Sequence, residues 1–294
     1  MANASIALLS YIVLAVLAPL SLIGNGCVLI AILTNRALRK NDGLYLWIAL
    51  SMADFSVALL MLPNIVYLIA GWKPDINYDA KLTLLSSLPA ISEVKVNSIL
   101  TVAIAFDRFS AFAWPVAYKL RRRGYYAIAS AAVATIWGVT DAVVCYLTAP
   151  LVPKPGCGAG GCFMHEKFRY YWGVSDMLIN AIVMVITVLV LIKIRTRRTI
   201  HQGSRDSITV QFQANQITVS VLLCSGICIF LPSTFAGLGE LSGLAVFAAL
   251  GPFVAVGLLA CGVTNACIFI FQHTVIRNSV YEIGKRLKTS ITKL

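Results

Sequence analysis

Three long runs of the chain carry no charged residue, and they constrain the fold more than any other feature. Residues 1–35, 207–239 and 241–276 contain no Asp, Glu, Lys or Arg. A helix needs only about 20 apolar residues to cross the hydrocarbon core of a bilayer. Charged residues make up 12% of the chain and hydrophobic residues 59%, which leaves too little charge to cover the surface of a soluble globule. The sequence therefore predicts a membrane-embedded protein.

Seven hydrophobic segments, each long enough to span a bilayer, use most of the chain and leave no stretch for a separate soluble core. The predicted spans are about 6–34, 44–71, 82–107, 124–147, 170–193, 214–238 and 244–271. We therefore predict an all-α membrane protein, a seven-transmembrane helix bundle that forms a single domain over residues 1–294.

The basic residues lie in alternate connections between these segments. Connections 35–43, 108–123 and 193–213, together with the tail 272–294, carry 18 of the 24 Lys and Arg residues. The opposite side carries 5, and Lys95 lies inside a span. Cytosolic loops are the ones enriched in Lys and Arg, so we expect an extracellular N-terminus and a cytosolic C-terminus. The net charge of +12 is thus explained by orientation, and no nucleic-acid partner is predicted.

Two cysteines lie in the loop before the fifth segment, on the side expected to face an oxidising environment. Cys157 and Cys162 flank the flexible stretch Gly158–Gly161. Three interpretations stay open: two free thiols, a local disulfide, or a metal site that includes His165.

An ionisable group inside a span raises the free energy of membrane insertion by roughly 2.5–3.5 kcal/mol. Each such residue is therefore a candidate for a structural or functional role. Asp54 lies in the middle of the second segment, with Asn25 in the first and Asn265 in the seventh. Glu93 and Asn97 are four residues apart and share one face of the third. These five residues form either a polar cluster that fixes helix packing or a switchable site for a proton or Na⁺, with Asp54 as its charge.

Lys95 follows Glu93 by two residues and therefore points to the opposite side of the same helix. It could reach Asp141 in the fourth segment or Asp176 in the fifth, as a salt bridge between helices or as a ligand contact.

An alternative function follows from the same charges. A seven-helix transporter or channel would use Glu93, Lys95, Asp141 and Asp176 as a charged path, although neither the inverted repeats nor the broken helices of many transporters are found in the sequence.

Short motifs occur in order along the whole chain. They are Gly24-Asn25, Leu50-Ser-Met-Ala-Asp54, Asp107-Arg108-Phe109, Pro115 with Tyr118, Trp137, Phe230-Leu231-Pro232 and Asn265-Ala-Cys-Ile-Phe269. In these motifs the chain resembles the rhodopsin-like G-protein-coupled receptors. Its overall sequence pattern resembles that of the nematode serpentine chemoreceptors, especially the Srsx class.

The resemblance implies a plasma-membrane receptor that binds a small-molecule ligand and activates a heterotrimeric G protein, without enzyme activity of its own. In this family Arg108 would be held by Asp107 at rest and freed on activation. Phe230 would be the aromatic switch above the Pro232 kink, and Asn265 and Phe269 would belong to the signature of the seventh helix. Asp54, Asn97 and Asn265 would form a network that holds Na⁺, and no other metal or cofactor is expected.

Some positions depart from the family pattern. The stretch Asp79–Leu84 has no cysteine where these receptors usually bridge the third helix to an outer loop. Ala90 stands where amine receptors have a carboxylate. The outer pocket is predicted to be lined by Ala90, Ile91, Val94, Phe230, Ser233, Thr234, Ala255 and Leu259, a mostly small and apolar set that favours a small, weakly polar ligand.

The tail carries its own helical pattern. Ile276, Val280, Ile283 and Leu287 follow one another at spacings of four, three and four, so they share one face of a helix at about 274–288. We expect this helix to lie on the cytosolic leaflet with its apolar face on the membrane lipid and its basic residues near the headgroups.

Overall fold

The computed structural model describes residues 2–73, 77–155, 157–200, 206–243 and 252–291. No residue within these ranges lies in a β-strand. The helices are α1 (Ala2–Thr34), α2 (Arg36–Arg39), α3 (Tyr45–Leu60), α4 (Leu62–Ala70), α5 (Ala80–Ala113), α6 (Pro115–Leu120), α7 (Arg123–Thr148), α8 (Glu166–Ile200), α9 (Asp206–Ser225), α10 (Leu231–Leu241), α11 (Phe253–Gln272) and α12 (Thr274–Ile291).

Seven helical stretches are long and apolar enough to cross a membrane. The spans are Ser5–Thr34, Asp42–Ala70, Ala80–Ala113, Arg123–Thr148, Glu166–Ile194, Gln216–Ser242 and Phe253–Gln272. The predicted seven-transmembrane bundle is confirmed. The seventh span was expected from about 244, but 244–251 lie outside the described residues and the described helix begins at Phe253.

The third span, α5, is the most buried of the seven, because neighbouring helices cover several of its faces. Asp79 begins it by accepting a hydrogen bond from the Leu82 N–H at 2.7 Å, which satisfies one of the free N–H groups of the first turn. The helix runs on to Ala113, beyond the predicted end at 107. It therefore carries polar side chains to both ends of the bundle, which we call the Cys157 end and the Arg108 end.

A π-turn interrupts the sixth span at Gly226–Phe230. It ends two residues before Pro232, whose ring nitrogen cannot donate to the Cys228 carbonyl one turn earlier. The sequence predicted a kink at Pro232, and the described deformation is this widened turn. The Cys228 carbonyl faces Gly257 of the seventh span so closely that a Cβ at Gly257 would collide with it.

One face of the tail helix α12 packs against the rest of the protein, and another side of the helix is polar. Ile276 is 1% exposed, and it lies in a core cluster with Val28, Trp47 and Phe269. Val280 and Ile283 pack against the same cluster, half buried. The expectation that this face rests on lipid is therefore wrong for Ile276, because the first and seventh spans lie close enough to cover it. For Val280 and Ile283, which contact protein with part of their surface, it stays a prediction. The side chain of Leu287 lies outside the described part of the chain.

Candidate functional site

A buried carboxylate joins three spans near the middle of the bundle. Asp54 is 1% exposed. Its Oδ1 accepts a hydrogen bond from Asn97 Nδ2 at 3.2 Å, and its Oδ2 accepts one from Asn265 Nδ2 at 3.1 Å. Asn25 donates to the Gly262 carbonyl at 3.1 Å, which ties the first span to the seventh. Four of the five residues predicted to form a polar network are thus hydrogen-bonded within it or to its immediate neighbours.

Several oxygen atoms around Asp54 are buried and accept no hydrogen bond from a described residue. They belong to Asn25 (Oδ1), Ser51 (Oγ), Glu93 (Oε1) and Asn265 (Oδ1). Unsatisfied buried oxygens are costly, and together with the carboxylate they give several hard oxygen donors, with the Cys261 thiol also nearby, 3.6 Å from Asn265 Nδ2. The oxygen donors fit a small hard cation such as Na⁺.

Glu93 lies one turn before Asn97 and is 7% exposed. It forms no described ion pair, and it interacts electrostatically with Asp54. Two buried carboxylates that interact in this way repel each other unless a proton or a cation neutralises one of them.

Lys95 forms a separate cluster on the opposite side of the third span. Its Nζ lies 2.6 Å from Asp176 Oδ1 and 3.8 Å from Asp141 Oδ2, and it donates to Ser175 Oγ at 2.7 Å. Tyr171 donates to Asp141 at 3.1 Å. Both predicted partners of Lys95 are therefore present. Glu93 does not join them, because two residues along a helix turn its side chain away, so the four-residue path predicted for a transporter is not assembled.

The third span ends in a small ionic cluster. Asp107 Oδ2 lies 3.6 Å from Arg108 Nε and accepts a hydrogen bond from the Tyr118 hydroxyl of α6 at 3.1 Å. Burial raises the pKa of Tyr118, partly offset by the nearby Arg108, so the phenol stays protonated and can donate. Arg108 is thus held beside Asp107 at the open end of the bundle.

The outer cavity is smaller than expected and its lining differs from the prediction. It has a volume of about 50 Å³, far below the roughly 300–1,000 Å³ of ordinary ligand pockets. Ala90, Ile91, Val94 and Ala255 line it as predicted. The cavity is also lined by residues that sequence reasoning missed: Met61, Asn64, Ser87, Gly158, Ala159, Gly160, Gly161, Met164, Trp172, Pro252 and Val254.

Four predicted pocket residues lie elsewhere. Phe230, Ser233 and Thr234 do not line the cavity, because the π-turn adds a residue to one turn and rotates the helix that follows it away from a regular projection. Leu259 is 1% exposed and packed in the core. The hydroxyls of Ser233 and Thr234 have no described hydrogen-bond partner.

The loop before the fifth span fills most of the outer cavity. Cys157 and Cys162 form a disulfide, and Ala159, Phe163 and Met164 are each less than 5% exposed. A side chain at Gly158 would collide with the Tyr11 hydroxyl, and one at Gly160 with Ser87. The glycines that suggested a flexible loop are thus the residues that let the backbone enter the bundle. We call residues 157–164 the plug.

An ion pair fixes the fifth span to the sixth near the plug. Arg169 Nε lies 2.6 Å from Glu240 Oε1, and Gly173 and Gly237 let the two helices approach closely one turn away. Sequence reasoning missed this pair, since nothing along the chain marks residues 71 positions apart as neighbours.

Comparisons with known proteins agree with this architecture. Residues 3–276 match the family model described as "Serpentine type 7TM GPCR chemoreceptor Srbc". The chain is 27% identical over 198 residues to "D(2) dopamine receptor A" of Xenopus laevis, which covers 66% of this chain and 42% of that protein. It is also 27% identical over 180 residues to "D(2)-like dopamine receptor" of Takifugu rubripes, covering 60% and 37%. The chain thus spans about two fifths of the length of these curated relatives.

These matches confirm the resemblance to serpentine chemoreceptors. The class that matches is Srbc, where the motifs had suggested Srsx. They also agree with a receptor class that is not enzymatic.

Proposed function

Because the chain belongs to the Srbc family of serpentine seven-transmembrane G-protein-coupled chemoreceptors, we propose that it is a chemosensory receptor of the plasma membrane. In this proposal a small ligand binds beneath the plug, and a heterotrimeric G protein binds at the Arg108 end. The N-terminus is extracellular and the C-terminus cytosolic, as the distribution of basic residues favours.

The observation that carries the proposal is the ionic cluster of Asp107, Arg108 and Tyr118. Arg108 has one ion-pair partner among the described residues, its neighbour Asp107 at 3.6 Å, and its side chain is 15% exposed. A guanidinium held this weakly exchanges its partner at little cost. It can therefore leave Asp107 and donate to backbone carbonyls of a partner protein.

The test is G-protein activation in cells, measured by energy transfer between Gα and Gβγ while a panel of small odorants is applied. Arg108→Ala should keep surface expression and lower the response by at least about tenfold, since a hydrogen bond to a charged group contributes roughly 1.5–3 kcal/mol. Arg277→Ala is the matched control, because Arg277 is an exposed arginine of the tail helix. Full signalling by Arg108→Ala at equal surface expression would contradict the proposal.

We further propose that the ligand is small and weakly polar. Ala90, Ile91, Val94 and Trp172 give the cavity apolar walls, and none of the described residues that line it carries a charge. The similar proteins are named as dopamine receptors, but an amine needs a buried counter-charge. Any ligand larger than a water or two also requires the plug to move, given a cavity of about 50 Å³.

The pocket is tested by narrowing it. Ala90→Phe should raise the ligand concentration needed for half-maximal response and leave basal activity unchanged. Leu85→Phe is the control, because Leu85 lies on the same helix near the Cys157 end but is 48% exposed on the outer face. Equal potency of the two variants would place the ligand site elsewhere.

The Asp54 network is proposed to hold Na⁺. Four buried oxygens without described donors belong to Asn25, Glu93 and Asn265 of this network and to Ser51, one turn before Asp54 on the same helix. The Asp54 carboxylate itself accepts two amide hydrogens, and a cation would satisfy the unpaired oxygens. Asp54 and Glu93 would supply the charge and Asn25, Ser51 and Asn265 neutral oxygens. Such an ion stabilises the helix arrangement that it binds best and thereby biases the receptor toward that state.

A further inference from the structure

A second cavity lies at the Arg108 end, between the beginnings of the second and fourth spans. It has a volume of about 810 Å³, far larger than the outer cavity. Five cationic side chains line it, from Lys40, Lys119, Arg121, Arg122 and Arg123. We call this cavity the basic groove.

The positive charge of the basic groove is not neutralised by the residues that the structure describes. Asp42 is the one acidic residue in the lining, so the walls carry an excess of four positive charges. None of the five cations forms an ion pair with a described carboxylate. Uncompensated cations this close repel one another, and an anion in the groove would relieve that repulsion.

Three of the guanidinium groups are held in place by aromatic rings. Arg121 stacks on Tyr126 at 3.3 Å from the ring centroid, Arg123 lies over Tyr118 at 4.5 Å, and Arg122 lies over Tyr125 at 5.7 Å. Stacking occupies the flat face of a guanidinium and leaves N–H groups on its edge that can donate to an anion, although Arg121 also hydrogen-bonds the Tyr126 side chain. The groove therefore presents partly ordered donors, which lowers the entropic cost of binding a multiply charged anion.

The start of the fourth span adds backbone donors. α7 begins at Arg123 without a side-chain cap, so the first N–H groups of a 26-residue helix have no capping acceptor and carry the positive end of the helix dipole. A phosphate placed there would receive both backbone and arginine hydrogen bonds.

The opposite wall of the groove is apolar and belongs to the membrane-spanning surface. Tyr125 is 69% exposed and Ile128 is 66% exposed, and both line the groove within the span Arg123–Thr148. An occupant that contacts the cations and this wall together needs a polyanionic head and an acyl chain. A soluble phosphate would use only the cations.

We propose that the basic groove binds the headgroup of a membrane phosphoinositide, a lipid with two or more phosphates on its head. The four excess positive charges suit such a head better than the single charge of phosphatidylserine, since each phosphate monoester carries about −1.5 to −2. The lipid ties the loop after the first span to the start of the fourth. The proposal rests on the cytosolic placement of the Arg108 end in the proposed function, and the groove adjoins the Arg108 cluster because Arg123 lies over Tyr118.

The experiment is a titration of the detergent-purified full chain with short-chain phosphatidylinositol bisphosphate, with bound lipid counted by native mass spectrometry. The test variant Lys40→Gln, Lys119→Gln, Arg122→Gln should weaken binding by at least about tenfold, because each basic residue near a lipid surface contributes about 1 kcal/mol. The control variant Arg36→Gln, Arg39→Gln, Arg277→Gln removes the same charge from exposed residues that do not line the groove, and it should weaken binding clearly less than the test variant does.

Further binding measurements distinguish the phosphoinositide from other anions as the occupant of the groove. Phosphatidylserine should bind far more weakly than the phosphoinositide. Ile128→Asn should weaken the lipid but leave soluble inositol trisphosphate unaffected, since the free headgroup does not touch the apolar wall. The charge-conserving variant Lys40→Arg, Lys119→Arg, Arg122→Lys should bind as the wild type does and shows that substitution at these sites leaves the fold intact.

Two results would overturn the proposal. Equal losses in the test and control variants would mean that binding follows overall charge and not the groove. Equal affinity for the lipid and for soluble inositol trisphosphate, insensitive to Ile128→Asn, would assign the groove to a soluble phosphate.

Discussion

Asn265 in the seventh span donates a hydrogen bond of 3.1 Å to Asp54 in the second, although 211 residues separate them along the chain. Asn97 of the third span donates to the other oxygen of the same carboxylate at 3.2 Å. Displacement of either span relative to the second would remove a donor from a fully buried carboxyl group, at a cost of about 1–3 kcal/mol. Asp54 therefore makes the packing of these three spans interdependent.

The first prediction concerns Na⁺ at this carboxylate. Replacing choline chloride by NaCl at constant ionic strength should raise the melting temperature of the purified wild type by about 2–4 °C, because a ligand that binds only the folded state at about ten times its Kd contributes roughly 1.4 kcal/mol. Asp54→Asn should abolish this difference. Glu282→Gln, an exposed carboxylate of the tail helix, should keep it. A wild type that melts at the same temperature in both salts contains no such site.

A second prediction concerns the resting state of Arg108. The Tyr118 hydroxyl and Arg108 share the same oxygen of Asp107. Tyr118→Phe removes the hydrogen bond from the phenol to Asp107, so the remaining ion pair between Asp107 and Arg108 should become tighter. Basal G-protein activation should therefore fall. Tyr125→Phe, at an exposed tyrosine of the fourth span, serves as control. Higher basal activity in Tyr118→Phe would instead mean that the phenol orients Asp107 toward Arg108.

The third prediction concerns the buried lysine. Lys95→Met leaves Asp141 and Asp176 without their cation in a buried site, and breaking such a pair from one side costs about 3–5 kcal/mol. The melting temperature of the purified protein should fall accordingly. The double variant Lys95→Met, Asp176→Leu should recover part of the loss, because it removes the nearer of the two orphaned carboxylates. Lys81→Met is the control, since Lys81 is exposed. A double variant no more stable than the single one would mean that packing, not charge, dominates this cluster.

The seven spans could be predicted from the sequence because their cause is local. A charge-free run such as 1–35 needs no knowledge of its neighbours to be assigned to a membrane. The partners of Lys95 were also within reach, since a lone cation in a span has few partners and its side of the third span faces Asp141 and Asp176. Their distances, 3.8 Å and 2.6 Å, could not be predicted, because they depend on how far the fourth and fifth spans lie from the third.

The outer pocket was only half predicted, for physical reasons that lie outside any one segment. Ala90 and Ala255 face the cavity as helical periodicity suggests. Ser233 does not, because the π-turn changes the register of its helix. Nothing in the glycine-rich composition of 158–161 distinguishes a mobile loop from the plug, whose entry depends on space left by Tyr11 and Ser87.

The fourth prediction concerns orientation, which the bundle geometry alone does not fix. The 18 basic residues on one side of the bundle favour a cytosolic Arg108 end. An epitope inserted at 200–206 should be labelled by antibody only after cells are permeabilised. An epitope added at the N-terminus should be labelled on intact cells. Labelling of 200–206 without permeabilisation would show that the topology is the reverse of the proposed one. The Arg108 end would then be extracellular, and G-protein coupling there would be excluded.

The last prediction concerns the tail helix. Val280 and Ile283 are half buried against the cluster that contains Ile276 and Phe269, and Tyr281 next to them is 71% exposed. Changing Val280 and Ile283 together to Asp places two carboxylates against an apolar surface, so α12 should detach and become a protease substrate, with lower surface expression. Tyr281→Asp should leave the helix docked, because that side chain already faces away from the bundle. A double variant whose tail resists protease as well as the wild type would show that contacts other than this face hold the helix in place.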